Sequence, residues 1–354
     1  MVDCYNKGEW SEFYAVIKLL SEAKIYAANS KLQKINDKVY YISKIIKDDP
    51  GCIKIYDLKE EGIIKIIYYG KDLPDKFIQS SEVKPSIPII FNKIRDSSGT
   101  FSISEATRLN ELLSYGAVKA SNVKKEDIRI SMIDPNVFTE EEIGFSIKSD
   151  IGNKPTLLNA SGATNFIFNI SNIDYQRLSE LNNLNKLKVR IRSLKNDETI
   201  TFMMPADPTF NKNLRKIDSL MPIFLSEMLL CFYSGKTSSV NELVKEICKT
   251  HTIKALNFSF DDIKYKISQL LINIALGMVP KKEWDGYIKA DGGYIIVKED
   301  GELVCFHIYN ISDFGEYLFN NTKFDIPSVS RHKFGKIYKD NQYRIKLNLQ
   351  IRFK

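Results

Sequence analysis

Asp127 and Lys148 are the residues whose types and spacing best fit a chemical role in this 354-residue sequence. Each lies in a run where apolar and polar residues alternate, 127–133 and 143–149, and such alternation predicts two strands. Residues 134–136, Asp-Pro-Asn, form a turn signal between the runs. If the strands pair antiparallel with position numbers that sum to about 275, Asp127 lies opposite Lys148 on the polar face. A shift of this register by two residues would keep the polar and apolar faces intact.

A carboxylate beside an ammonium group at one end of a hairpin suits the cleavage of a phosphodiester. The carboxylate of Asp127 could hold Mg²⁺, which polarises a phosphate and lowers the pKa of a bound water. The lysine could orient that water or stabilise the charge that develops on the phosphate. The competing interpretation is a structural cross-strand ion pair, which contributes less than about 1 kcal/mol when exposed.

The rest of the chain predicts both helices and strands, which favours an α/β or α+β fold. The predicted elements are a helix at 9–28, a meander of strands at 38–70, loops with short extended pieces at 74–100, a helix at 104–116, a hairpin at 186–204, helices at 214–279, a hairpin at 294–310 and a strand at 343–353. We expect four consecutive segments. They are an N-terminal helix and meander at 1–100, a core with the Asp127–Lys148 hairpin at 101–210, a helical region at 211–285, and a C-terminal hairpin with a basic segment at 286–354.

The formal net charge of +7 is concentrated at one end of the chain. Residues 331–354 contain eight Lys or Arg and one acid, Asp340, so the first 330 residues are neutral. A basic segment on a neutral body indicates a nucleic-acid partner, although such segments are often only solvated surface. Five cysteines without a CxxC spacing predict a reducing cytosol, and we expect no secretory signal and no membrane span.

Three long strings resemble the HpaII family of type II restriction endonucleases. They are NKGEWSEFYAVIKLL at 6–20, GFSIKSDIGNKPTLLNASGATNFIF at 144–168 and NTKFDIPSVSRHKFGKIY at 321–338. The resemblance implies a PD-(D/E)xK nuclease core, a mixed sheet flanked by helices. In that superfamily an Asp on one strand acts with a (D/E)-x-K motif on the next strand and with Mg²⁺.

Carried over by position, the resemblance makes Asp127 the metal-binding aspartate and Lys148 the motif lysine. Ser146 stands where the superfamily usually has Asp or Glu, so the second metal carboxylate is left open. Glu105, on the predicted helix before the hairpin, is the first candidate, because superfamily members often place a supporting Glu on a helix. The alternatives are Glu12, Glu142 and Asp150.

Two further segments are candidates for DNA contact. Residues 154–165 are rich in small polar side chains, which could donate hydrogen bonds to a DNA backbone or cap a helix. The candidates there are Asn159, Ser161, Thr164 and Asn165. Arg331, His332 and Lys333 lie in the third family-like string, where an arginine could read guanine or contact a phosphate.

The resemblance implies Mg²⁺-dependent double-strand cleavage of DNA at CCGG, blocked by cytosine methylation. It also implies a prokaryotic cytoplasm and a DNA methyltransferase that protects host DNA. A homodimer is one option for the assembly. Two other functions stay open, a repair or nicking nuclease of the same superfamily and a DNA-binding protein without catalysis, which the Ser146 departure makes conceivable.

Overall fold

The computed structural model describes residues 4–118, 126–133, 140–152, 154–197, 199–287, 292–307 and 311–354. The chain divides into two compact units, each built from two separate stretches. Unit 1 comprises Met1–Pro155 and Ile288–Phe314, and unit 2 comprises Thr156–Tyr287 and Gly315–Lys354. These units do not follow the four consecutive segments expected from the sequence. None of the described helices is both long and apolar enough to cross a membrane.

Strands and helices are numbered along the whole chain. The strands are β1 Tyr5–Asn6, β2 Lys24–Ala28, β3 Lys34–Asp49, β4 Cys52–Asp57, β5 Ile63–Tyr69, β6 Lys76–Gln79, β7 Thr100–Phe101, β8 Ile128–Ile133, β9 Glu140–Ser149, β10 Thr156–Leu158, β11 Asn165–Ser171, β12 Thr199–Pro205, β13 Gly293–Val297, β14 Leu303–His307, β15 Thr322–Phe324, β16 Ile337–Asp340, β17 Gln342–Asn348 and β18 Ile351–Phe353. The helices are α1 Lys7–Glu22, α2 Ser80–Val83, α3 Ser86–Asp96, α4 Ser104–Leu112, α5 Tyr175–Asn183, α6 Leu187–Asp197, α7 Pro208–Ile217, α8 Met221–Tyr233, α9 Val240–Ile247, α10 His251–Ala255, α11 Phe260–Leu276, α12 Ile311–Asn321 and α13 Val329–His332.

Unit 1 is organised around a nine-stranded sheet in the order β2-β14-β13-β9-β8-β3-β4-β5-β6. An additional pairing of β2 with β3 closes six of these strands into a ring. Most neighbours are antiparallel, but β13 runs parallel to β9 and β14 runs parallel to β2. The predicted meander and the predicted hairpin at 294–310 are confirmed as β3 to β5 and as β13 with β14. Helices and strands therefore mix as an α/β or α+β class requires.

Strands β8 and β9 form the predicted antiparallel pair, in a register shifted by two residues. Ile128 lies opposite Phe145 and Ile130 opposite Ile143, so the paired numbers sum to 273 and not to about 275. The apolar face is preserved, since Ile128, Ile130, Phe145 and Ile147 are all buried. The predicted turn at 134–136 lies outside the described residues.

Helix α1 begins where the sequence predicts and ends earlier. The Asn6 side chain accepts a hydrogen bond from the Glu9 N–H, and the Glu9 carboxylate accepts one from the Asn6 N–H, which forms a capping box. The predicted apolar positions Trp10, Phe13, Val16, Ile17 and Leu20 are all buried. Ala23, with φ of 50°, ends the helix, and residues 24–28 form β2 instead of a further helical turn.

The prolines of residues 74–100 predict loops with short extended pieces, and this prediction is wrong where the structure forms helices. The stretch contains β6, α2 and α3. Pro88 lies in the first turn of α3, where a missing N–H removes no intrahelical hydrogen bond. Ile90 and Ile94 are fully buried at helical spacing, so burial of one helix face prevails over the proline signal.

The hairpin predicted at 186–204 is also wrong. Residues 187–197 form α6, and β12 follows as an antiparallel neighbour of β11. The period-two spacing of Leu187, Val189 and Ile191 favours a strand in isolation. The structure buries Ile191 and Leu194 fully and leaves Val189 exposed, which is the pattern of one helix face.

Unit 2 contains a four-stranded sheet in the order β12-β11-β17-β16 and a three-stranded sheet in the order β10-β18-β15. The helical region predicted at 214–279 is confirmed as α8 to α11 and the end of α7. The single strand predicted at 343–353 is instead two strands, β17 and β18, in different sheets. The chain leaves the first sheet after Asn348, which is fully buried although the alternation places it on the polar side.

Candidate active site

Asp127 stands immediately before β8, and the neighbouring strand β9 holds its carboxylate. The Asp127 N–H donates to the Phe145 carbonyl at 2.8 Å, so the chain just before β8 is still hydrogen-bonded to β9. Oδ2 of Asp127 accepts hydrogen bonds from the Ile147 N–H at 2.7 Å and from the Ser146 hydroxyl at 3.1 Å. These bonds fix the orientation of the carboxylate before any ligand binds.

The structure brings Lys148 to this carboxylate, as the sequence predicts. Its Nζ lies 3.7 Å from Oδ2 of Asp127 and donates to the Ile147 carbonyl at 3.0 Å. The lysine side chain is 34% exposed and the aspartate side chain 15%, so the pair is accessible without being fully solvated. The buried ring of Tyr294 lies 6.0 Å from Nζ, and burial followed by the charge of Asp127 raises the pKa of its hydroxyl.

Ser146, at the usual position of the motif acid, is buried and donates its hydroxyl to Asp127. At this position the family resemblance predicts an Asp or Glu, and the serine supplies a hydrogen-bond donor instead. If the site holds a metal through two carboxylates, the second comes from another element.

Two cavities of unit 1 open on the pair. The larger, about 550 Å³, is lined by Lys148, and the smaller, about 250 Å³, is lined by Asp127. Glu12 of α1 and Ile147 of β9 line both cavities. Glu12 is thus the acid, among the four sequence candidates, that shares cavity walls with both members of the pair.

The local packing explains the position of Glu12. Its neighbour Ser11 donates to the Ser149 hydroxyl at 2.9 Å, which attaches α1 to the end of β9. The pKa of the buried Tyr115 reflects the carboxylates nearby. Burial raises the pKa of its hydroxyl most strongly, and the charges of Glu12, Asp49 and Asp127 raise it further. Three carboxylates thus act on one buried ring beside the smaller cavity.

Glu105 has other partners in the structure. Its carboxylate accepts hydrogen bonds from Arg108 at 2.8 Å and from the Ser86 hydroxyl, and these bonds lower its pKa. It lines neither of the two cavities. The contacts give Glu105 a role in joining α3 to α4. Of these two acids, only Glu12 lines the cavities at the pair.

The two remaining candidates are also engaged in ion pairs. Glu142 pairs with Arg129, which in turn pairs with Asp48. Asp150 pairs with Lys154 at 2.7 Å. Neither Glu142 nor Asp150 lines the two cavities.

The oxygen donors at this site fit a magnesium ion that takes only one or two of its ligands from the protein. Mg²⁺ is commonly bound by one or two carboxylates, and water and substrate phosphates complete its coordination. The contacts of Asp127 with other described residues all use Oδ2, which leaves Oδ1 for a cation, and Glu12 lies on the shared wall. No group of three or more His, Cys, Asp or Glu side chains suited to a metal occurs within the described ranges. A buried all-protein metal cage is therefore not the arrangement found there.

Comparison with known proteins identifies the family. The family model for the HpaII restriction endonuclease matches residues 6–353. The chain belongs to this family. The type II restriction enzyme HpaII of Haemophilus parainfluenzae is 37% identical over 354 residues, which cover 98% of each chain. No solved structure matches the chain.

The sequence resemblance is therefore confirmed, and the protein is a type II restriction endonuclease, a site-specific deoxyribonuclease. Its substrate is double-stranded DNA.

In this HpaII family member, the structure brings together residues of the two segments predicted to contact DNA, and the named candidates of both segments lie in unit 2. The Asn165 side-chain amide donates to the His332 carbonyl at 3.0 Å, and Asn348 donates to Asn165 Oδ1 at 2.8 Å. Thr164 and Asn165 are buried, and Ser161 caps a 3-10 turn that contains Thr164. Their hydrogen bonds therefore hold this part of unit 2 together.

The accessible members of the predicted DNA-binding set are found at the edges of these segments. Asn159, Arg331 and Lys333 are exposed, and Ser161 and His332 are partly exposed. Direct contact of Thr164 or Asn165 with DNA would require these buried side chains to rearrange. The exposed residues are the better candidates.

Lys47 is a residue beside the site that sequence reasoning missed. Its Nζ donates to the carbonyls of Tyr115 at 2.7 Å and Ala117 at 2.6 Å, and it lies 3.5 Å from Asp49. It lines the smaller cavity together with Asp127. Burial lowers the pKa of Lys47 to about 8, although the charge of Asp49 acts in the opposite direction. Nothing in the sequence around Lys47 indicates that its side chain is buried against the carbonyls of Tyr115 and Ala117.

This pKa predicts how Lys47 changes stability with pH. The unfolded chain holds the lysine proton up to a pKa of about 10.4, whereas the folded chain releases it near pH 8. Between these values the unfolded state binds more protons, so the contribution of Lys47 to the free energy of unfolding rises with pH. We expect the stability of the wild type relative to Lys47→Met to increase from pH 8 to pH 10.

Chemical denaturation of both proteins at pH 7, 8, 9 and 10 measures this difference. Lys59→Met, which removes a lysine whose side chain is 51% exposed, controls for the loss of a charge. A difference between wild type and Lys47→Met that stays constant across the four pH values would contradict the prediction.

Proposed function

We propose that this HpaII family member makes Mg²⁺-dependent double-strand cuts in DNA at CCGG, and that cytosine methylation within the site blocks the reaction. The observation that supports hydrolysis most directly is the Asp127–Lys148 pair at the two cavities that share Glu12. The sequence specificity rests on similarity to HpaII along the whole chain. We also assign unit 1 to the PD-(D/E)xK superfamily, since an Asp before one strand is followed by a motif lysine on the next.

In this proposal the side chains of the site bind the metal ion, orient the attacking water and stabilise the charge that develops on the phosphate. Asp127, through Oδ1, and Glu12 would hold the ion, while the Ile147 N–H keeps the aspartate aligned. Bound Mg²⁺ would polarise the phosphate and lower the pKa of a water molecule. Lys148 orients the attacking water and stabilises the negative charge that develops on the phosphate. Ser146 donates to Asp127 and so fixes the same carboxylate without adding a charge.

Unit 2 supplies DNA contacts in this proposal. Arg331, Lys333 and Lys336 are exposed around the short helix α13, and no ion pair with an acid is found for them within the part of the chain that the structure describes. Such lysines and arginines would neutralise phosphates and release counterions on binding. Arg331 is also a candidate for a bidentate contact with guanine. Exposed Asn159 could donate a hydrogen bond to a phosphate.

Replacing Arg331, Lys333 and Lys336 together by glutamine is expected to weaken DNA binding and to flatten its salt dependence. Each phosphate contact contributes about 0.9 to the slope of log affinity against log salt concentration, so the slope should fall by up to about 2.7. Fluorescence anisotropy with a labelled duplex between 50 and 200 mM salt, concentrations over which such contacts lose most of their affinity, measures the slope.

Three lysines of unit 2 that pair with carboxylates provide a matched control. The glutamine substitutions are made at Lys212, Lys245 and Lys249, whose partners are Glu283, Glu242 and Glu246. This control removes the same formal charge. Equal slopes for the two triple variants would show that charge in general, and not the segment around α13, sets the salt dependence.

A plasmid digest tests the proposed function. Unmethylated and CpG-methylated plasmid are incubated with the protein in Mg²⁺ or in EDTA, and the ends of the products are sequenced. We expect discrete ends at CCGG on the unmethylated plasmid in Mg²⁺ only. Cuts at another fixed sequence would overturn the CCGG specificity, random nicks would favour a repair nuclease, and binding without cleavage would favour the DNA-binding alternative.

The cellular setting follows from this specificity. We propose that a DNA methyltransferase protects the same sequence in the host, in the cytoplasm of a prokaryote. CCGG reads identically on both strands, so a homodimer with two-fold symmetry would present one active site to each strand.

A further inference from the structure

A cavity in unit 2 combines an apolar wall with three lysines. It measures about 590 Å³, and we call it the lysine–tyrosine pocket. Its lining residues are Val329, Ser330, Lys333, Phe334, Lys336, Tyr338 and Lys346. None of them is an acid. Nζ of Lys346 lies 5.4 Å from the centre of the Tyr338 ring, so a cation and an aromatic face line the same space.

Strand pairing places these side chains together. Tyr338 of β16 lies opposite Arg344 of β17, and Lys346 follows two residues later on the same face. Lys333 ends α13 in the left-handed region, with φ of 52°, which turns the chain from the helix into the wall of the pocket. Phe334 is buried and packs edge-on against Tyr233 with ring centres 6.0 Å apart.

A buried arginine fixes the turn that carries two of the lysines. The Gly335 N–H donates to the Lys346 carbonyl at 2.8 Å, and the Gly335 carbonyl accepts from the Arg190 guanidinium. Arg190 is buried and also donates to the carbonyls of Leu181 and Leu184, both at 2.7 Å. Gly335 has φ of 83°, and a Cβ there would meet the Leu187 side chain at 3.1 Å. Hydrogen bonds within unit 2 therefore hold the backbone that forms this wall of the pocket.

We propose that the lysine–tyrosine pocket receives one unstacked nucleotide of the bound DNA. This inference rests on the proposed function, since DNA is the substrate of the enzyme. The base would stack on the Tyr338 ring, and the flanking phosphates would lie against Lys333, Lys336 and Lys346.

The three lysines and the apolar wall of the pocket together favour a nucleotide over simpler ligands. A phosphate alone would be held by exposed lysines and would not need a concave wall formed by Val329, Phe334 and Tyr338. An apolar ligand alone would not match three ammonium groups with no acid among the lining residues. A nucleotide carries both a planar apolar face and a negative charge. Aromatic stacking beside a basic surface is the usual way in which proteins hold unpaired bases.

Base-analogue fluorescence tests the proposal. A set of CCGG duplexes carries one 2-aminopurine or pyrrolo-deoxycytidine each, at or beside the site, and binding is followed with Ca²⁺ in place of Mg²⁺ so that cleavage does not interfere. We expect at least one position to brighten when the wild type binds. Tyr338→Phe keeps the ring and should keep the signal, whereas Tyr338→Leu should lose most of it. Tyr265→Leu, an exposed tyrosine of α11, is the control.

The outcomes separate the pocket from the proposed function. If the wild type cuts CCGG but no analogue brightens, and Tyr338→Leu binds duplex as tightly as wild type, the pocket proposal is overturned while the endonuclease stands. If the wild type cuts no specific site, a short single strand of thymidines tests the pocket separately. Tyr338→Leu should then bind it about 5- to 150-fold more weakly than Tyr338→Phe, and equal affinities would overturn the pocket.

Discussion

Lys148→Met is expected to lower the rate of DNA cleavage by about 10²–10³-fold, the usual effect of removing one group that stabilises transition-state charge. The lysine lies 3.7 Å from Asp127, and that carboxylate keeps its hydrogen bonds from Ser146 and Ile147, so the loss of the lysine should not unfold the protein. DNA binding should persist, because the methionine removes one of many positive charges. Single-turnover cleavage of a CCGG duplex and anisotropy of the same duplex measure the two effects separately.

Lys59→Met is the matched control for Lys148→Met. Lys59 also belongs to unit 1 and also pairs with a carboxylate, Glu140 at 3.2 Å, but it lines neither cavity at the pair. We expect it to cut like the wild type. If Lys148→Met kept full activity with normal binding, the lysine would be a structural partner of Asp127, and the assignment of the active site would be wrong.

The Asp127–Lys148 pair could be predicted from the sequence because the prediction requires only the local alternation of polar and apolar residues. Two alternating runs predict two strands, and antiparallel pairing places their polar residues on one face. The exact register was not accessible, and the structure shifts it by two residues. Because side chains alternate with period two, this error keeps the faces intact and brings Ser146 rather than Lys148 opposite Asp127. The two side chains still meet after the shift because the lysine side chain is long enough to reach back to Asp127.

Features that depend on distant parts of the chain could not be read from the sequence. Strand β13 joins the sheet beside β9 from about 140 residues away, so the division into two discontinuous units has no local signal. The same holds for Lys47, whose environment is set by the carbonyls of Tyr115 and Ala117. The errors at 74–100 and 186–204 have a related cause, since burial of one helix face decided both segments against proline and period-two signals.

The second carboxylate of the proposed metal site could not be predicted from local sequence patterns. The sequence offered four acids without a means to rank them by distance from Asp127. The structure ranks them by the cavities they line, since Glu12 lines both cavities at the pair whereas Glu105, Glu142 and Asp150 line neither. The packing of α1 on β9 brings it there from the start of the chain.

Glu12→Gln is therefore expected to lower cleavage by at least about 10–100-fold and to raise the Mg²⁺ concentration needed for half-maximal rate, as the loss of a metal-supporting carboxylate does elsewhere. The amide keeps the size of the side chain and can still accept a hydrogen bond, so the packing of α1 should be preserved. Cleavage rates measured across a Mg²⁺ titration, with thermal unfolding as a check on folding, distinguish a metal effect from a structural one.

Glu105→Gln gives the decisive comparison, because Glu105 is the acid that the sequence ranked first. Its ion pair with Arg108 is partly exposed, so the substitution should lower the free energy of unfolding by less than about 1 kcal/mol. Its cleavage rate and Mg²⁺ requirement should match the wild type. If Glu105→Gln lost activity with a raised Mg²⁺ requirement while Glu12→Gln did not, the metal would be held from the α4 side, and contact with the two cavities would be the wrong criterion for this site.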